Sequence, residues 1–157
     1  MRAGKINQNF EDDLFENIQG YLISLANPNN KFQFYPANNG LLKNGEKLSL
    51  GFSCLALKSY YMTGLWERQD ISFQNQWIDF INSFQKKNNN FPLNSYIDDE
   101  YLNGFSEIDI KRQFKNITKN IVNLIMTNKF DTDKKKIQDG VRAETKQAIS
   151  TLYQVKS

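Results

Sequence analysis

Three consecutive acids, Asp98-Asp99-Glu100, form the densest set of groups able to do chemistry in this chain. Adjacent carboxylates can hold Mg²⁺, and through it a diphosphate, because a hard cation takes oxygen ligands. The same run also suits a solvated acidic loop, and the sequence favours that reading. Asp131-Thr132-Asp133 has an Asp-x-Asp form suited to sugar-nucleotide chemistry, but a capped turn before Lys134 is the favoured reading. Tyr60, Tyr61, Trp66 and Trp77 can line a pocket for an isoprenoid or a sugar face. Aromatic residues at helical spacing are more often core. Arg142 and Glu144 can point into a cavity, and an exposed ion pair at a helix start accounts for them equally well. The candidate catalytic residues are therefore Asp98, Asp99 and Glu100. The candidate ligand-binding residues are Tyr60, Trp66, Arg142 and Glu144.

What is missing narrows the chemistry further. The chain contains no histidine. Ser-His-Asp and Cys-His catalysis and His-bound metal are excluded, and acid–base work falls to Asp, Glu, Lys or Tyr. The single cysteine, Cys54, cannot form an internal disulfide, lies in an apolar helical stretch and reads as buried. No Gly-rich phosphate loop is present. We expect no metal and no cofactor.

The elements that must position these groups are helical. Phe10, Leu14, Phe15, Ile18, Tyr21, Leu22 and Leu25 predict a first helix over about Asn9 to Ala26, capped by Asn9 and ended by Asn27-Pro28-Asn29-Asn30. Phe32, Phe34 and Tyr35 follow; alternation allows a strand, but a loop pinned by aromatics is the favoured reading. A second helix, about Glu46 to Thr63, mixes Leu48, Phe52, Leu55, Ala56, Ser59 and Tyr60 with the small residues Gly51, Ser53 and Cys54. That mix suits packing on more than one side, and Gly64 supplies a stop. A third helix covers about Ser72 to Lys86. Ser106 caps a fourth, with Ile110, Phe114, Ile117, Ile121, Leu124 and Ile125 on its apolar face. A fifth begins near Val141 and carries Ala148, Ile149, Leu152 and Tyr153.

A chain of 157 residues with 13% aromatic content has the material for one domain with a real core. Mean hydropathy is −0.62, with the polarity mostly in Asn, Gln and Lys. The net charge of +3 is spread along the chain, and its one tight basic run, Lys134-Lys135-Lys136, reads as a solvated loop. No concentrated basic face points to nucleic acid. No apolar run approaches the roughly 18 residues of a membrane span. A leader of the secretory type is not evident at the N-terminus, and a cytoplasmic location is expected.

Two pairs of segments can be superposed. Ile18–Leu25 lies over Trp77–Phe84, and Asn29-Asn30-Lys31-Phe32 then falls on Asn88-Asn89-Asn90-Phe91 without a gap. Ala56-Leu57-Lys58-Ser59-Tyr60-Tyr61 lies over Ala148-Ile149-Ser150-Thr151-Leu152-Tyr153. The implied unit is an aromatic helix, a polar turn with Phe, a connector and a small-residue helix. Such a unit must stack on neighbours to bury its apolar face.

This pattern resembles the α/α-toroid superfamily of terpenoid cyclases and protein prenyltransferases. Trp77–Gln85 followed by Asn88-Asn89-Asn90-Phe91 is similar to an outer helix and its exit. Arg142-Ala143-Glu144-Thr145-Lys146-Gln147-Ala148-Ile149 is similar to the start of an inner helix. The likeness is to bacterial members that carry no known activity, so none follows from it. Zinc prenyltransferase chemistry lacks its His. Asp98-Asp99-Glu100 is neither a DxDD motif nor a DDxxD motif, since Leu102 stands at the last position. The resemblance implies an all-α fold of helical hairpins, residues 1–157 being a single helical domain and the N-terminal part of a toroid. The expected function is a noncatalytic protein-interaction or partial-toroid module. Its partner is another protein, or a second copy met through the fifth helix. The alternative is a ligand-binding or catalytic toroid enzyme acting on an isoprenoid or glycan.

Overall fold

The computed structural model describes residues 8–41, 45–87, 91–101 and 133–156. Helix α1 spans Gln8–Leu25 and leads into an antiparallel pair, β1 (Ala26–Asn27) and β2 (Asn30–Phe34). Helices α2 (Leu50–Met62), α3 (Ile71–Asn82) and α4 (Asp133–Lys156) follow among the described residues. The expected fourth helix and its cap Ser106 lie outside the described residues. No helix among the described residues is long and apolar enough to cross a membrane.

The β pair overturns the all-α expectation; the architecture is mixed, and not a pure array of helical hairpins. Its cause is local. The Asn27 side chain accepts the Asn29 amide at 2.9 Å and donates to Gln33 Oε1 at 2.8 Å, which closes a tight turn where a loose loop was expected. The chain then returns along itself, and the Tyr35 amide donates to the Leu25 carbonyl at 2.8 Å. In extended backbone, alternate residues share a face, so Phe32 and Phe34 both turn inward while Lys31 stays exposed. The aromatics do pin the segment, but they do so from a strand.

Trp77 is the centre of the core and has no exposed surface. Phe34 stacks on its indole at 5.3 Å, and Tyr60 and Phe73 meet it edge-on at 5.1 and 5.7 Å. Its Nε1 donates to Ser53 Oγ at 2.8 Å, so the buried polar atom is satisfied. Four elements, β2, α2, α3 and the turn after α2, thus converge on one side chain.

Helix boundaries follow their caps. The Asp70 carboxylate accepts the Phe73 amide at 2.8 Å and starts α3. The helix stops at Asn82, short of the expected Lys86. The next residues are taken by the connector instead: the Lys86 amide donates to Ser95 O at 2.7 Å, and the Ile97 amide to Phe84 O at 3.0 Å. Helix α2 ends as expected at Gly64, whose φ of +69° suits glycine. Leu65 and Trp66 then fold back, both donating to Tyr60 O. Helix α1 begins at Gln8, which places the expected cap Asn9 inside it. Helix α4 begins at Asp133, well before the expected Val141, so Lys134–Lys136 belong to a helix and not to a loop. Asp131 and Thr132 lie outside the described residues.

Helices α2 and α4 pack side by side. Gln147 Nε2 donates to Gly51 O at 2.9 Å, and the Thr151 hydroxyl bonds the Cys54 side chain. These partners advance together along both helices, so the two run parallel. Parallel neighbours bring both N-terminal halves to the same end of the molecule.

Candidate functional site

That shared end is where the acidic residues meet, and the connector 95–101 brings them there. Thr145 Oγ1 of α4 accepts the Tyr96 amide at 3.0 Å and fixes the connector against α4. Tyr96 is held from the other side by its hydroxyl, which donates to Asn82 Oδ1 at 3.0 Å. Two residues on, the Asp98 amide donates to Glu144 Oε2 at 2.9 Å.

Asp98 is buried and its carboxylate has a structural task. Oδ2 accepts the amides of Ser49 at 2.6 Å and Leu50 at 3.1 Å, and Oδ1 accepts the amide of Glu100 at 3.1 Å. The first two are unpaired donors of the first turn of α2. Ser49, at the N-cap position, makes no side-chain cap bond. Asp98 therefore caps a helix 49 residues away in sequence from Ser49, with its negative charge at the positive end of the helix dipole. This also explains why α2 starts at Leu50 and not near Glu46.

The other two acids diverge from it. Asp99 is exposed and pairs with Lys86 at 2.6 Å; Glu100 pairs with Lys47 at 3.7 Å. The three carboxylates do not converge on one point. No group of three acid or cysteine side chains among the described residues is placed to share a metal ion.

Glu144 is different. Its carboxyl is largely buried, and burial pushes its pKa up to about 7. The Asp98 amide pulls the other way, the Asp98 and Asp99 charges push it further up, and Lys86 draws it down. Glu144 stands in the wall of a cavity of about 250 Å³ between α2, α4 and the connector. Leu48, just before α2, and Phe52 of α2 form one side, Tyr101 and Asp98 the connector side, and Glu144 and Gln147 the α4 side. A Cβ at Gly140 would lie 2.6 Å from the Tyr101 ring, which would have to shift to admit it. This close approach accounts for glycine inside a helix, where it costs about 1 kcal/mol against alanine.

The remaining candidates are elsewhere. Tyr60 and Trp66 are buried around Trp77, with Trp66 at 6.3 Å from its ring, and neither lines the cavity. Arg142 is exposed and meets Asp139 at 3.8 Å, so it does not share a site with Glu144. Two residues apart on a helix is a rotation of about 200°, which sends the two side chains to opposite faces. Cys54 is fully buried and its thiol is pushed up to about 11, chiefly by burial, so it is held as the unreactive thiol. Sequence reasoning missed Leu48, Phe52, Tyr101, Gly140 and Gln147 as wall residues. Only the two-sided apolar character of α2 pointed towards them.

No protein-family model, curated protein or solved structure matches the chain.

Proposed function

We propose that this chain is a noncatalytic interaction module that receives an amphipathic helix of a partner protein along α2. The observation that carries this reading is the second apolar face of α2. Leu50, Cys54, Leu57 and Tyr60 are buried on its inner face. Phe52, Leu55, Ser59 and Met62 follow at spacings of three, four and three on the outer side. That is the spacing of a helix–helix seam. Leu55 is 53% exposed and Met62 71%, so the seam is uncovered. A helix laid into such a surface buries apolar side chains at matching intervals. A cytoplasmic setting belongs to the same proposal and suits the lone reduced Cys54.

The placement of the acids and aromatics favours this reading over the catalytic alternative. Asp98 caps α2, and Tyr60 and Trp66 pack in the core around Trp77. Self-association is favoured by a separate observation: Ile149 and Tyr153 of α4 are 50% and 78% exposed. They sit on the flank turned away from Gln147 and Thr151, so they do not extend the α2 seam.

A displayed library of helical peptides, selected on the full chain, tests the main reading. Enriched peptides should carry apolar residues at three- and four-residue spacing and lose binding to the Leu55→Ser/Met62→Ser variant. These side chains are exposed, so the variant should keep its circular dichroism. Equal enrichment on wild type and variant, or none on either, overturns the reading.

A further inference from the structure

The cavity beside Glu144 opens at the N-terminal end of the proposed seam, because Phe52 belongs to both. We propose that it is a receptor for one cationic side chain, a lysine or arginine of the docked helix, held by the Glu144 carboxylate. The identity of the helix as occupant rests on the docking reading; the cation preference of the cavity does not.

Size is the first argument. Pockets for free ligands of ordinary size measure about 300–1,000 Å³. At about 250 Å³ this one falls below that range and fits a single extended side chain. Wall chemistry is the second. Phe52, Leu48 and Tyr101 offer apolar surface for a methylene stem, as long basic side chains require. The polar end is acidic: Asp98 and Glu144 stand in the wall, and no Lys or Arg does among the described residues. Asp98 is spent on the α2 amides, whereas Glu144 has one oxygen on the Asp98 amide and its second oxygen left to accept. Gln147 cannot neutralise it, since its amide is turned to Gly51 O. No basic side chain of the wall meets that free oxygen, and an ammonium or guanidinium group supplies what is missing.

Proton linkage gives a readout specific to this site. The charged groups around Glu144 are Asp98 and Asp99 of the connector and Lys86 after α3; Leu48 just before α2, Gly51 and Phe52 of α2, and Gly140, Ala143 and Gln147 of α4 are the uncharged wall residues beside it. A bound cation favours the ionised carboxylate. Its arrival near pH 7 releases a proton, and affinity rises with pH from 6 to 8.

The experiment titrates the full chain with n-butylammonium, a lysine side chain without its backbone, and with n-butanol as the neutral control. The Glu144 side-chain carboxyl is followed by carbon NMR. We expect butylammonium to bind about tenfold more tightly than the alcohol, the scale of one charge-assisted hydrogen bond. The Glu144 midpoint should fall below about 7 as it binds, and Glu144→Gln should erase the preference while the helical signal persists. Equal binding of amine and alcohol, or an unmoved Glu144 midpoint, overturns the cavity assignment. Leu55→Ser/Met62→Ser should leave amine binding unchanged, so loss of peptide docking with retained amine preference refutes the seam and spares the cavity. Seam-dependent peptides with no enrichment of Lys or Arg refute the cavity and spare the seam.

Discussion

The surroundings of Trp77 and those of Glu144 are both largely buried, yet they are held by different forces. Around Trp77 the contacts are rings against rings, with one polar atom answered by Ser53. Around Glu144 the structure is a lattice of carboxylates and amides that ties the connector to α2 and α4. The first region is closed, and it loses free energy chiefly through cavities. The second keeps an open volume and a carboxyl group that changes charge near neutral pH. A single small fold thus separates a rigid anchor from a surface able to respond to a ligand.

The sharpest test of that division is Trp77→Ala. It should destabilise the protein by about 3–5 kcal/mol, as large aromatic truncations in cores do. Denaturant melts read the effect, and a midpoint close to wild type would mean that the aromatic centre is not the anchor. Asp98→Ala should cost about 2–3 kcal/mol, since it removes a charged acceptor from buried donors of α2. Asp98→Asn should recover part of this, because its amide oxygen still accepts. If hydrogen exchange at Ser49 and Leu50 is unaffected by Asp98→Ala, the remote cap is not what starts α2.

Gly140→Ala sharpens the comparison from the other side. A methyl group there meets Tyr101 at 2.6 Å, and crowding of this kind costs about 1–3 kcal/mol, offset by about 1 from the better helix propensity of alanine. The net loss should be about 1 kcal/mol. In the Tyr101→Leu background the sign should reverse, because the ring that causes the crowding is gone. Additive effects in a double-mutant cycle would show that the Tyr101 contact does not set the choice of glycine.

These two regions also differ in how far the sequence announced them. The aromatic helices and their faces are legible because helical periodicity is local, and the same holds for the stop at Gly64. The strand at Phe32 and Phe34 was visible as alternation, but choosing it required knowing that Asn27 would close the turn. The inward side of Glu144 was available only as one of two faces, and its neighbour Arg142 pointed to the wrong one. The capping role of Asp98 was invisible, since capping is ordinarily read from the residue just before a helix. Its partners lie 48 and 49 residues away, and only the folded chain brings them together. The early start of α4 was hidden because Lys134–Lys136 look like a solvated loop when read without the helix that contains them. The α1 and α3 exits share a further feature: each turns back into an antiparallel pairing, Leu25 with Tyr35 and Phe84 with Ile97.

The smallest expected effect is the one that separates the regions by pH. Burial lifts Glu144 in the folded protein to about 7 from its ordinary value of 4.5. Between those values the folded state holds a proton that the unfolded state has released. Stability contributed by this group is therefore full below about 4.5, falls as pH rises towards about 7, and stays at its lower level above. Glu144→Gln keeps an oxygen for the Asp98 amide and removes the charge. Relative to wild type it should be near neutral at pH 4.5 and stabilising at pH 8, by about 1 kcal/mol once solvent screening of a partly exposed group is allowed for. The titratable group in the Trp77 ring cluster, Tyr60, is held by burial above its ordinary value of 10.0, so the milder variant Trp77→Phe should show the same cost at both pH values. Paired melts of wild type, Glu144→Gln and Trp77→Phe at the two pH values measure this directly. A Glu144→Gln difference that does not change with pH would mean that Glu144 titrates alike in the folded and unfolded chain, and the cavity would then present a full negative charge at neutral pH and no proton to release.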